Sequence, residues 1–159
     1  MQVVFMVLFA AVIAVADQLV KYFVLTHIPL FGTMELFPGV VGLTYVQNYG
    51  AAFSSLQGMR WLFVVILVVF VGVVIWEYKV KYMPFTTFER WCIASICGGG
   101  IGNMIDRVRF GFVVDMFRTE FMNFPIFNVA DCFITCGGIA LVAHLVFFNK
   151  EFWKDEKKK

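Results

Sequence analysis

The chain has 159 residues, room for one domain, and 61% of them are hydrophobic where a soluble domain carries roughly 45–50%. That excess, with a mean hydropathy of +0.83, collects in long uncharged runs and excludes an ordinary soluble protein. A net charge of +2 gives no case for nucleic acid. Cys92, Cys97, Cys132 and Cys136 all lie in apolar runs, where thiols act as small hydrophobes. The spacing of Cys132 and Cys136 lacks neighbouring ligand types, so no metal is expected.

In chain order, the first apolar run, Met1–Ala16, carries no charge and resumes around Asp17 and Lys21 to about Leu25. A cleaved signal peptide would need a basic start and a small-residue cleavage site before a soluble domain. Neither is found, so a span over about 2–25 is expected. The next segment, about 26–60, is polar enough to lie outside. Within it Val40–Gln47 alternates between Pro38-Gly39 and Asn48-Tyr49-Gly50, which reads as strand then turn. Ala51–Arg60 reads as a short interfacial helix. A second span covers about 61–76. The third covers about 85–105, since Trp91–Ile105 alone would reach only about 22 Å of a ~30 Å hydrocarbon core. The fourth covers about 126–148.

Basic residues orient these spans. Lys79, Lys81 and Arg90 separate spans two and three, and Lys150, Lys154, Lys157, Lys158 and Lys159 form the tail. Arg60, Arg107, Arg109 and Arg118 make a smaller set on the other side. The expected fold is therefore an all-α integral membrane protein of one polytopic domain, residues 1–159. It has four transmembrane helices, both termini cytoplasmic, and a small β-rich extracytoplasmic segment on the membrane surface.

Polar residues inside such a chain are costly and informative. Asp17 and Lys21 are four apart, on one helix face, and suit an ion pair. Gly98-Gly99-Gly100-Ile101-Gly102 suits close helix packing, and no strand or P-loop lysine turns it into a phosphate loop. Asn103, Asp106 and Arg107 follow as a polar cluster at the outer interface. Asp115 lies in an apolar stretch of the second outer connection, and Asp131 begins the fourth span. Their spacing is not helical, but the return of the chain to the membrane can set both carboxylates at one depth. Two carboxylates in a poorly hydrated site share a proton, so one can take a proton from water while the other donates to a carbonyl. His27 and His144 sit at opposite ends of the topology and read as structural. From these residues alone an aspartate pair and a proton-relay transporter using Asp17, Asp106, Asp115 and Asp131 stand level. A structural subunit glued by polar contacts is a third reading.

The motifs taken together resemble the lipoprotein signal peptidase, or signal peptidase II, family. They are Asp17-Gln18-x-x-Lys21, Asn48-x-Gly50-Ala51-Ala52-Phe53-Ser54 and Gly98-Gly99-x-x-Gly102-Asn103-x-x-Asp106-Arg107, then Val113-Val114-Asp115 and Phe127-Asn128-x-Ala130-Asp131. Five weak motifs in order along nearly the whole chain make a strong signal. The resemblance implies a bacterial inner-membrane aspartic endopeptidase, multi-pass, without metal or cofactor, its active site near the extracytoplasmic face. It implies a diacylglyceryl-modified prolipoprotein as substrate, cut before the modified cysteine, with membrane lipids as partners and globomycin-type antibiotics as inhibitors. A monomer is expected. Asp115 and Asp131 are then the catalytic pair. Asn48, Gly50, Asn103, Arg107 and Asn128 line or order the site, and Asp17, Lys21 and Asp106 support it.

Overall fold

The computed structural model describes residues 1–50 and 58–154. The expected interfacial helix at Ala51–Arg60, and the motif residues Ala51 to Ser54, lie almost wholly outside the described residues. Four long helices carry the fold: α1 (Gln2–His27), α2 (Arg60–Val80), α3 (Thr87–Arg109) and α4 (Val129–Phe147). Three of them, α1, α2 and α4, are long and apolar enough to cross a membrane. Charged residues at both ends of α3, among them Glu89, Arg90, Asp106 and Arg107, dilute its hydropathy.

Local chemistry starts two of these helices. Thr86 caps α3, its hydroxyl accepting from the Glu89 backbone N–H while the Glu89 carboxylate accepts from Thr86 N. Asn128 and Asp131 form the same reciprocal box at α4. Each box satisfies donors that a helix N-terminus leaves free. The fourth helix therefore begins at Val129, not at 126. Phe127 before it is extended and bridges to Phe117.

α3 is the hub. Three consecutive glycines point at three different helices, as a turn of about 100° per residue requires. A Cβ on Gly98 would sit 2.7 Å from the Ala10 carbonyl oxygen of α1, one on Gly99 2.5 Å from the Ala130 carbonyl oxygen of α4, and one on Gly100 2.5 Å from the Leu67 side chain of α2. At the first two the obstacle is backbone and cannot swing aside. Gly99→Val is therefore expected to push α3 and α4 apart and lower the thermal unfolding temperature in detergent, whereas Gly138→Ala, where a Cβ meets nothing within 4 Å, should leave it near wild type.

The β-rich segment is a three-stranded antiparallel sheet ordered β1-β2-β3, with β1 (Thr33–Phe37), β2 (Val41–Asn48) and β3 (Val113–Thr119). β2 is the expected strand shifted by one residue. β1 and β3 were not expected. β3 comes from the connection between α3 and α4, so the sheet joins it to the connection after α1 and is not confined to residues 26–60. Its inner face, Leu43, Tyr45, Val114 and Met116, packs on Val24 and Ile28 at the end of α1.

The opposite end of the bundle is fastened separately. Glu89 is fully buried, and its carboxylate accepts from Asn149 Nδ2 at 2.8 and 2.9 Å and pairs with His144 Nδ1 at 2.9 Å. His144 thus ties α4 to the start of α3. His27 stacks on Phe23 at the other end of the molecule.

Candidate active site

Asp115 sits in the middle of β3, opposite Val46 of β2, and is 2% exposed. Register brings the end of β2 within its reach. Asn48, at the end of β2, donates from Nδ2 to Asp115 Oδ2 at 2.9 Å, and the Asn48 side-chain oxygen accepts from Gly50 N at 2.9 Å, which shapes the turn that follows. Asn128 donates from Nδ2 to Asp115 Oδ1 at 2.6 Å.

Asp131 enters through the cap of α4. As the third residue of that helix it accepts from Asn128 N at 3.2 Å on Oδ2, and from Asn103 Nδ2 at 2.8 Å on Oδ1. A helix N-terminus favours a negative charge there. Asn128 and Asn103 are themselves linked, Asn128 Nδ2 to Asn103 Oδ1 at 3.1 Å. Two asparagines therefore bridge the two carboxylates, one from the sheet and one from the bundle. Asp115 lies outside the helices, and its pKa is raised to about 7, first by burial and second by the nearby charge of Asp131, against the hydrogen bonds of Asn48 and Asn128.

Behind this bridge stands a buried charge cluster. Lys21 Nζ lies 2.8 Å from Asp17 Oδ2 and 2.9 Å from Asp106 Oδ2, with all three side chains at most 1% exposed. The pairing with Asp17 is the one the four-residue spacing suggested; the pairing with Asp106 is not local and was not foreseen. The same ammonium donates to Asn103 Oδ1 at 2.9 Å. Since Asn103 Oδ1 accepts from both Lys21 and Asn128, its amide must turn Nδ2 toward Asp131. Asp17 also accepts from Ala130 N at 2.9 Å and Asp106 from Val114 N at 3.0 Å. Each carboxylate so holds the backbone next to one of the pair. Gln18, quoted in the first motif but given no role, donates to Asp106 Oδ1 at 2.8 Å and to the Gly102 carbonyl at 3.1 Å. Its signal was its place beside Asp17.

Arg107 reaches the other way. Its guanidinium lies 4.5 Å over the Phe63 ring of α2 and donates to the Gly50 carbonyl at 2.9 Å, holding the turn after β2 to the bundle. Asp17, Lys21, Asn48, Gly50, Asn103, Asp106, Arg107, Asp115, Asn128 and Asp131 thus form one connected network. Among the described residues no buried side-chain nitrogen or oxygen lacks a partner, and no three His, Cys, Asp or Glu side chains converge as metal ligands would. The arrangement brings two carboxylates to one site through a shared pair of asparagines.

The profile of the Signal peptidase (SPase) II family matches residues 9–147. A lipoprotein signal peptidase of Streptococcus pyogenes serotype M2 is 44% identical over 140 residues, 88% of this chain and 87% of that protein. One of Streptococcus agalactiae serotype V is 45% identical over 140 residues, 88% and 86% of the two chains. A bacterial membrane enzyme solved by the in meso method at 2.3 Å superposes with a TM-score of 0.83 at 29% identity, covering 97% of this chain and 92% of that one. A second, at 1.9 Å, gives 0.80 at 30% identity over 91% and 94%. With the profile spanning most of the sequence and these relatives aligned along nearly their whole length, the chain belongs to the signal peptidase II family.

Proposed function

We propose that this protein is a membrane aspartic endopeptidase that removes the signal peptide from bacterial prolipoproteins, cutting before the diacylglyceryl-modified cysteine, with Asp115 and Asp131 as its catalytic pair. The observation that carries the reading is the asparagine bridge: Asn128 and Asn103 hold carboxylates from β3 and α4 at one buried site. In this mechanism a water lies between the pair. Ionised Asp131 takes a proton from it as it attacks the scissile carbonyl, and protonated Asp115 donates to the carbonyl oxygen. The gem-diol intermediate collapses as Asp131 passes its proton to the leaving nitrogen and one hydroxyl of the intermediate returns a proton to Asp115, which restores the starting protonation.

In this reading all four long helices cross the inner membrane of a bacterium as one domain, spans near 2–25, 61–76, 85–105 and 126–148. Both termini are cytoplasmic and the sheet rests on the outer surface. Support comes from charge. Lys79, Lys81, Arg90, Lys150 and Lys154 gather at the end of the bundle remote from the sheet, where Gln2 of α1 meets Thr87 of α3 and Asn149 meets the Pro84 carbonyl. A diacylated substrate cannot leave the bilayer, so a carboxylate pair at the outer interface meets the bond it must cut. The protein works as a monomer, with membrane lipids as surroundings and globomycin-type antibiotics as occupants of the site.

The test is signal-peptide release by purified protein in lipid from a diacylglyceryl-modified prolipoprotein, with the unmodified precursor as control. Release from the modified substrate alone is the expected result. No release from a validated substrate would sink the reading. The pH profile adds a sharper check. The reaction needs one proton on the pair, and Asp115 retains it up to about pH 7. The rate should therefore fall as pH rises through about 7, with the apparent value belonging to the pair. Stability follows the same sign. The folded pKa of Asp115 exceeds the ~3.9 of an unfolded aspartate, so the folded state binds more protons between about pH 4 and 7. Thermal stability should decline across that window, and Asp115→Asn should flatten the decline.

A further inference from the structure

The end of α1 covers only part of the inner face of the sheet. Leu43 is buried with Val24 and Ile28 of that end, and Met34 of β1 is its pairing partner, so the two side chains share the inner face. Thr33 and Glu35 pair with Thr44 and Gly42 and fall on the other face, as does Arg118, which also pairs with Gly42. Strict alternation would set Phe37 on that polar side too. The register slips by one residue between Glu35 and Phe37, however, and Phe37 pairs with Val41, two positions from Leu43. The slip turns Phe37 to the inner face, the kind of re-aiming that a bulge provides. Past the cover of α1, Met34 and Phe37 are left exposed, Phe37 at 63%.

Two more aromatic side chains are held outward in the same outer segment. Phe31 takes the third position of the turn Pro29–Gly32, which closes with Gly32 N donating to the Pro29 carbonyl at 2.7 Å. Its φ is +62°, where such a turn usually carries glycine or asparagine, yet its ring is 72% exposed. Strain kept for a side chain that the chain leaves uncovered points to a contact outside the chain. Phe121, 66% exposed, follows Glu120, which fastens the β3–α4 connection to the β1–β2 turn. Glu120 N donates to the Val40 carbonyl and Glu120 Oε2 accepts from Gly39 N, both at 3.0 Å. Across residues 29–41 and 121–127 the sequence holds one ionisable side chain, Glu35, and it lies on the polar face.

We propose that Phe31, Met34, Phe37 and Phe121 form a rim inserted among the acyl chains of the outer leaflet, so that the sheet is anchored in the bilayer beside α1 instead of lying on its headgroups. The proposal rests on the reading that the sheet end of the bundle meets the outer leaflet, and deepens it. Bilayer lipid is the occupant because the rim continues a surface that lipid covers in that reading. α1 is long and apolar enough to cross a membrane, Leu19, Tyr22 and Phe23 on its outer turns are exposed, and Phe31 follows shortly after its last residue, His27. Aromatic rings suit that depth, whereas a charge there would be costly. The same sheet carries Asp115 on β3, so the anchor also bears on the height at which that carboxylate stands.

The test is photocrosslinking with p-benzoylphenylalanine at position 31, 37 or 121 of the purified full-length protein, in vesicles of phosphatidylethanolamine and phosphatidylglycerol. Phospholipid adducts on the acyl chains, found by mass spectrometry, are the expected result. The same probe in place of Thr33 or Glu35 should give none. Background yields from 31, 37 and 121, or equal yields from the two faces, would overturn the anchor. A crosslinked dimer in place of lipid adducts would assign the rim to a second copy of the chain and overturn it as well. These outcomes are read without substrate and stand apart from whether the protein cleaves one. Phe31→Gly separates strain from packing. Glycine accepts the positive φ freely, so the unfolding temperature in detergent should be kept or raised. A clear fall would show that the ring packs within the chain and would count against the anchor.

Discussion

Replacing either Asp115 or Asp131 by asparagine is expected to reduce signal-peptide release by at least about 10²–10⁴-fold, the contribution of a positioned acid or base. Asparagine keeps the shape of each side chain but cannot carry the proton that the proposed mechanism passes through the pair. The structural cost differs between the two sites. At Asp115 both oxygens accept from amide nitrogens, those of Asn48 and Asn128, so an asparagine turns a donor toward one of them until an amide rotates. At Asp131 one oxygen accepts from Asn128 N in the cap of α4 and the other from Asn103, and losing one such bond costs about 1 kcal/mol. Both variants should remain folded, which thermal unfolding in detergent would verify. Single-turnover release of signal peptide, followed by gel mobility, measures the loss. A variant that keeps cleavage within tenfold of wild type would remove its aspartate from the mechanism.

Lys21→Met should be the most damaging change away from the carboxylate pair. The ammonium neutralises Asp17 and Asp106 at 2.8 and 2.9 Å in a site almost closed to water. Removing one partner of a buried ion pair costs about 3–5 kcal/mol, because the remaining charge is left without compensation. Here two carboxylates would be left. The loss should also reach the active site. Asn103 Oδ1 would retain only the Asn128 contact, and the orientation that presents Asn103 Nδ2 to Asp131 would weaken. A large fall in thermal stability, with residual activity lower than the folded fraction explains, is the expected pair of results. The triple variant Lys21→Met, Asp17→Asn, Asp106→Asn tests the cause. If uncompensated charge is the source, it should be more stable than Lys21→Met alone. Equal instability would assign the loss to packing.

Several features follow from chemistry that is local in the chain. Long uncharged runs mark α1, α2 and α4 because a helix must offer hydrocarbon its whole surface. Asp17 and Lys21 pair because residues four apart stack on one helix face. Thr86 with Glu89, and Asn128 with Asp131, cap helices at three-residue spacing. The expected strand at Val40–Gln47 became β2 because alternation within one segment is visible without its partners. The β1 and β3 strands are not marked in the sequence because Thr33–Phe37 is exposed along its length and Val113–Phe117 is apolar on both faces except at Asp115. Neither shows a period of two in its burial.

What the sequence determined by itself is therefore the inventory: apolar helices, a glycine-rich hub, the distribution of basic charge, and the order of motifs that marks the family. Only the tertiary structure decided which side chains meet. Asp106 joins Lys21, Asn128 reaches Asp115, and Arg107 holds the turn at Gly50 across separations of 85, 13 and 57 positions, distances along the chain at which no helical or strand period operates. Those meetings depend on the angle at which helices pack on Gly98, Gly99 and Gly102 and on the register of β3 against β2. One step of that register would turn Asp115 to the opposite face of the sheet. Local spacing sets which residues share a face, and packing between elements sets what each face encounters.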